Sequence, residues 1–173
     1  MPHALPPFMD SNLERYLNDH LAGSLAAIDV LTLLSDKSEI SSDREFYSEL
    51  LAKVKQDREL LESLLEKTGE DRSALREAAG GITSKASMLK LRWEGLSPES
   101  LGLLEAIEML ALGIEGKRRL WLLLGTIATF IPEWQGTDFE ALEADAKTQG
   151  DAVEQRRIVA GKSALLMRPA ARH

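Results

Sequence analysis

Along most of the chain apolar residues recur at spacings of three and four, the period of one face of an α-helix, and no stretch reads as a β-strand. Clusters of Ser, Thr, Gly and Pro divide this pattern into five segments, which predict helices at about 11–35, 42–68, 73–94, 98–130 and 138–167. The first carries Leu13, Leu17, Leu21, Leu25, Ile28 and Leu31 on one arc. The second carries Tyr47, Leu50, Leu51, Val54, Leu61, Leu64 and Leu65, and the third runs from Leu75 through Ala78, Ala79, Ile82, Ala86 and Leu89 to Trp93. Ala26, Val30 and Leu33 fall off the main stripe of the first helix, so a second cover is expected there, from a further helix or another subunit.

The ends are marked as well. S-N-L-E from Ser11 to Glu14, S-D-R-E from Ser42 to Glu45 and T-D-F-E from Thr137 to Glu140 read as capping boxes. Ser97 with Pro98 reads as the cap and first position of the fourth helix, Gly69 as the stop of the second, and Pro132 as the limit of the fourth. Gly80-Gly81 in the third segment and Gly113 and Gly116 in the fourth each cost about 1 kcal/mol relative to alanine inside a helix. Close approach of a neighbouring helix is the expected compensation.

Long helices joined by short loops pack most readily as antiparallel neighbours. The fold class expected is therefore all-α, an antiparallel up-and-down helical bundle of four long helices and one shorter helix forming a single domain over 1–173. The apolar arcs are wider than the narrow seam of a coiled-coil rod.

Composition narrows the function. The net charge of −7 comes from 21 basic residues scattered among 28 acidic ones, which argues against phosphate-backbone recognition, so no nucleic-acid partner is expected. The chain has no cysteine, which removes disulfides, thiolate nucleophiles and zinc-thiolate sites. Of three histidines, His3 and His173 lie near the ends, leaving His20. The longest uncharged run, Leu120 to Ile131, falls short of the roughly 20 residues a membrane span needs. The opening MPHALPPFMD lacks a basic region followed by an apolar run, so a cytoplasmic location is expected. There is no nucleophile elbow, phosphate-binding loop or dinucleotide fingerprint.

Several polar residues project onto the dry arcs: His20 and Ser24 in the first helix, Asp57 and Arg58 in the second, Arg118 in the fourth, Gln149 and Arg156 in the fifth. A buried charge needs a partner. The pattern predicts a polar layer in which Asp57 pairs with Arg156 or Arg58, with His20, Ser24 and Gln149 hydrogen-bonding around it. Glu105, Glu108 and Glu115 form a carboxylate face on the fourth helix, which with Asp57 and His20 is the candidate for a divalent metal such as iron or manganese. Helical-bundle metal sites of that kind use Glu-x-x-His motifs from facing helices, and none exists here.

YLNDHLAG in the first helix, Q-D-R in the second, LALGIEGK in the fourth and VEQRRIVAGKSAL in the fifth resemble a group of uncharacterised bacterial proteins with a ferritin-like helical bundle. The resemblance implies that fold. It brings no metal ligands, because the second helix reads Gln56, Asp57, Arg58, Glu59, Leu60 without a histidine and the fifth offers Gln149, Glu154 and Arg156. The function expected is a non-enzymatic binding or assembly role with no cofactor, and a homodimer through the apolar faces of the first or fourth helix. A metal-binding bundle and a bundle that holds a small apolar ligand or lipid are the alternatives, the latter pointed to by Trp121 and the apolar run from Leu120 to Ile131.

Overall fold

The structure, a computed structural model, describes residues 7–68 and 95–166, with side chains from Asn12 onward. The described residues form a helical bundle: α1 (Pro7–Lys37), α2 (Ser41–Lys67), α3 (Leu101–Ile127) and α4 (Phe139–Leu166), with two short 3-10 turns, Ala128–Phe130 and Pro132–Trp134, between the last two. No strand occurs among them. α3 and α4 are the fourth and fifth helices expected from the sequence; the third, with its Gly80-Gly81, lies outside the described residues, as do His3 and His173.

The helix starts differ from the capping boxes. α1 begins at Pro7, so Ser11 already lies within the helix. α2 is entered from an extended Ile40 without a side-chain cap, which places Ser42 inside the first turn. What holds this corner is Arg44, whose guanidinium donates to the Ser38 carbonyl at 2.9 Å and ties the end of α1 to the start of α2. α3 begins three residues later than Ser97 and Pro98 predict. Ser97–Ser100 closes a turn, and Ser100 caps the helix by accepting from the Leu103 amide at 3.2 Å while its hydroxyl donates to the Gly95 carbonyl. One hydroxyl filling both roles explains why the later serine wins. Gly102 is required here, because a Cβ on it would sit 2.7 Å from the Gly95 carbonyl oxygen. α4 is capped by Asp138, not Thr137, through the Ala141 amide at 3.0 Å; Gly136, at φ 85°, turns the chain just before it.

The core forms two clusters that fix the helix directions. Leu17 and Leu21 from early α1 pack with Leu61 and Leu64 from late α2, Leu120, Trp121 and Leu124 from late α3, and Phe139 and Ala146 from early α4. At the other end Leu31 and Leu34 pack with Tyr47 and Leu50, Leu104 and Ile107, and Val153 and Ala160. α1 and α4 therefore run one way, α2 and α3 the other, and α2 ends at the opposite end of the bundle from where α3 begins. The closest pairings are α1 with α2 and α3 with α4, with α1 also against α3. Val30, expected to need a second cover, is buried within the second of these clusters, and Leu33 packs on its margin. Each fully buried leucine contributes about 1.5–3 kcal/mol of apolar burial.

The loop between α3 and α4 is fastened to α2 by Trp134, whose indole Nε1 donates to the Leu64 carbonyl at 3.0 Å inside the core. Gly125 lets Phe139 approach α3, a Cβ there standing 3.0 Å from the Phe139 Cβ. None of the described helices is long and apolar enough to cross a membrane.

Candidate functional site

A cleft of about 200 Å³ opens between α1, α2 and α3 near the middle of the bundle. α1 supplies His20, Gly23 and Ser24; α2 supplies Val54, Asp57, Arg58 and Leu61; α3 supplies Gly113, Ile114, Gly116, Lys117, Leu120 and Trp121. Four of the seven residues that the apolar pattern singles out as inward-facing polar groups thus share one place. The helix period is responsible: 20 and 24 lie one turn apart on α1 and face 57 and 58 on its antiparallel neighbour.

The charges in the walls are compensated. Arg58 donates to the Leu21 carbonyl at 2.5 Å, to the Ser24 hydroxyl at 2.7 Å and to Glu62 at 2.8 Å. Asp57 pairs with Lys117 at 2.5 Å. Lys117 also donates to the Gln149 side chain at 2.5 Å, Gln149 donates to Asp145 at 2.7 Å, and Lys53, one turn before Asp57, donates to the same carboxylate at 3.0 Å. Asp57, Lys117, Gln149, Asp145 and Lys53 therefore close a ring of polar contacts running from α2 through α3 and α4 back to α2.

The electrostatics follow from burial. Desolvation pushes the Asp57 carboxyl above its usual range, against the opposing pull of Lys117. For Asp145 burial also pushes upward, but the hydrogen bonds from Lys53 and Gln149 outweigh it and the net shift is downward. Burial lowers the His20 pKa more than Asp19 raises it, which favours the uncharged imidazole; its ring meets Tyr16 edge-on at 4.7 Å.

Asp57 pairs with neither Arg156 nor Arg58, contrary to the expected layer. α4 runs antiparallel to α2, so its late residues meet early ones of α2: Asp145 lies against Lys53, and Arg156 lies against Asp43 at 3.4 Å with its guanidinium 3.4 Å from the centre of the Phe46 ring. Asp43 and Asp57 are fourteen residues apart, about 21 Å along the helix. The Arg156–Asp43 contact is an ion pair without hydrogen-bond alignment, since Arg156 Nε has no hydrogen-bond partner among the described residues. Gln149 joins the ring through Lys117, a residue absent from the expected layer. Its signal was available: it lies three residues after Ile114 and four before Trp121, on the core line of α3. Arg118 lies instead on the α3–α4 boundary, bonded to Glu115 at 2.9 Å and Glu143 at 2.5 Å.

The three glutamates of the carboxylate face do not converge. Glu105 is exposed, Glu108 accepts from Arg157 at 3.2 Å, and Glu115 accepts from Arg118 and, at 2.8 Å, from Arg119. Among the described residues no group of three or more His, Asp or Glu side chains is placed to hold a metal ion. Ser24 is likewise no nucleophile in waiting, its hydroxyl donating to the Leu21 carbonyl at 2.7 Å and accepting from Arg58.

The glycines of the cleft also depart from expectation. A Cβ on Gly23, Gly113 or Gly116 would meet no atom within 4 Å, so none of them is there to let another helix approach. No protein-family model matches the chain, and neither a characterised protein nor a solved structure matches it.

Proposed function

We propose that this chain is a non-enzymatic, ferritin-like helical bundle that binds one small, uncharged, largely apolar molecule in the cleft between α1, α2 and α3. The observation that carries the reading is the glycine lining. Gly23, Gly113 and Gly116 sit in helix interiors, each at a cost of about 1 kcal/mol against alanine, and the space a side chain would take is empty at all three. Packing does not require them and their backbone is ordinary helix. Gly23 and Gly113 are exposed, so what they widen is the open side of the cleft.

The occupant's chemistry follows from the walls. Val54, Leu61, Ile114 and Leu120 are apolar, Asp57 and Arg58 are already answered by Lys117 and Glu62, and Asp19, the remaining charge in the lining, is exposed to solvent, so the interior of the cleft offers nothing to compensate a charged ligand. A cavity of about 150 Å³ holds benzene; about 200 Å³ suits a one- or two-ring molecule. The ferritin-like reading is supported by the helix directions, since α1 with α2 and α3 with α4 form antiparallel pairs and α2 ends at the opposite end from where α3 begins, as in bundles of that connectivity.

Prodan, a neutral two-ring naphthalene probe that brightens in apolar surroundings, tests the reading. One saturable site is expected in the wild type, with loss of binding in Gly113→Leu at unchanged helical circular dichroism. Absence of saturable binding to the wild type, or equal binding by Gly113→Leu, overturns it.

A further inference from the structure

α3 is apolar on two opposite faces. One is the core line of Leu104, Ile107, Leu110, Ile114 and Trp121. The other points outward: Leu101, Leu112 and Leu123 are 54%, 71% and 44% exposed. A helix that is apolar all round is normally covered all round. The outer leucines are spaced by eleven residues, three full turns with a drift of about 20°, so they form a nearly straight row about 33 Å long on a helix of ordinary pitch.

The row is symmetric about its middle. Leu112 is eleven residues from Leu101 and eleven from Leu123; Glu105 and Arg119 lie seven residues to either side, both on the same outer face and both exposed. Arg119 meets Glu115 through its Nε. A two-fold axis through Leu112 sets each Leu101 opposite Leu123 of a second copy, and each Glu105 opposite Arg119 of that copy. The parallel arrangement sets glutamate against glutamate and arginine against arginine. Self-complementarity of this kind, apolar along the axis and opposite in charge on either side of it, is what an isologous interface requires.

We infer that the chain forms a two-fold homodimer in which the α3 helices of two copies pack antiparallel, with Leu112 on the axis and Glu105 paired across it with Arg119. This does not depend on what the cleft binds. Helices packed 8–10 Å apart bring facing Cα atoms within disulfide range at the axis, and the chain has no cysteine of its own to confuse the result.

The test has three arms. Sedimentation equilibrium of the wild type should give about twice the 19.1 kDa chain mass, and Leu112→Lys, a change at an exposed position, should give a folded monomer. Leu112→Cys should oxidise to a disulfide-linked dimer, whereas Glu59→Cys on the exposed side of α2 should not. Glu105→Arg and Arg119→Glu should each weaken the dimer at least tenfold, and the double variant should recover it. A wild type that stays monomeric at 100 µM, as it must if another part of the chain or a different protein covers this face, overturns the inference. So does a Leu112→Cys that fails to link, and a double variant no better than the single ones overturns the antiparallel register.

Discussion

Lys117 of α3 holds Asp57 of α2 at 2.5 Å across the bundle interior, with only 13% and 15% of the two side chains exposed. Burial raises the Asp57 pKa despite the adjacent ammonium, so desolvation outweighs the attraction. Such a pair specifies arrangement more than it stabilises. Asp57→Ala or Lys117→Met alone should cost about 3–5 kcal/mol, because each leaves a buried charge unanswered. Asp57→Leu combined with Lys117→Met should restore much of the loss. Urea unfolding of the three variants measures this, and a double variant as unstable as the sum of the singles would show that the two groups are not coupled. Asp57→Ala and Arg156→Ala, which the sequence alone would couple, should be additive within about 0.5 kcal/mol at their separation.

Acid stability should respond in opposite senses to two carboxylates. Hydrogen bonds from Arg118 and Arg119 hold Glu115 down to about 2. A depressed carboxyl contributes stability that is present above its unfolded pKa and lost as pH falls through the folded one, so the stabilisation from Glu115 fades between about pH 4.5 and 2. Its side chain is 42% exposed, and solvent screening keeps the contribution within about 1 kcal/mol. Asp57 has a raised pKa, and its protonation on acidification favours the fold. Glu115→Gln should therefore flatten the loss of stability below pH 4.5, and Asp57→Asn should steepen it. Urea midpoints recorded from pH 2 to pH 6 separate the two.

Alanine at the cleft glycines should stabilise the protein while harming binding. Gly23→Ala and Gly113→Ala gain helix propensity of up to about 1 kcal/mol each, with no contact to clash against. The same methyls narrow the cleft. A rise in thermal midpoint together with weaker Prodan binding is expected. Gly102→Ala serves as contrast: its methyl would meet the Gly95 carbonyl, so it should destabilise.

The helices were legible in the sequence because burial on one side imposes a period that single residues cannot hide. Leu17, Leu21, Leu31, Leu50, Leu61 and Val153 all lie in the core where that period puts them. Caps were less legible: Ser42, Ser97 and Thr137 each have competent neighbours, and tertiary contacts such as the Ser100 hydroxyl on Gly95 decide between them. Inward-facing Asp57, Arg58, Ser24 and His20 could be read from projection onto one helix at a time. Their partners could not, because pairing depends on the register between helices, which a period does not contain. Lys117 is legible by the same projection, three residues after Ile114 and four before Trp121; what the period does not contain is that Asp57 is its partner.

Trp121 and Trp134 offer a matched comparison. Both are about 1% exposed and both pack against Phe139, but Trp134 donates to the Leu64 carbonyl at 3.0 Å, whereas Trp121 Nε1 has no hydrogen-bond partner among the described residues. Replacement by phenylalanine removes similar volume at each. At Trp134 it also removes the hydrogen bond that fastens the α3–α4 loop to α2 and leaves a buried carbonyl one donor short. At Trp121 it removes a polar group whose burial already costs about 1–3 kcal/mol, offsetting part of the cavity penalty. Trp134→Phe should therefore be the more destabilising by about 1–2 kcal/mol. Equal losses in chemical denaturation would mean that Trp121 Nε1 finds an acceptor in solution, and its indole proton, assigned by its disappearance in Trp121→Phe, should then exchange slowly with solvent.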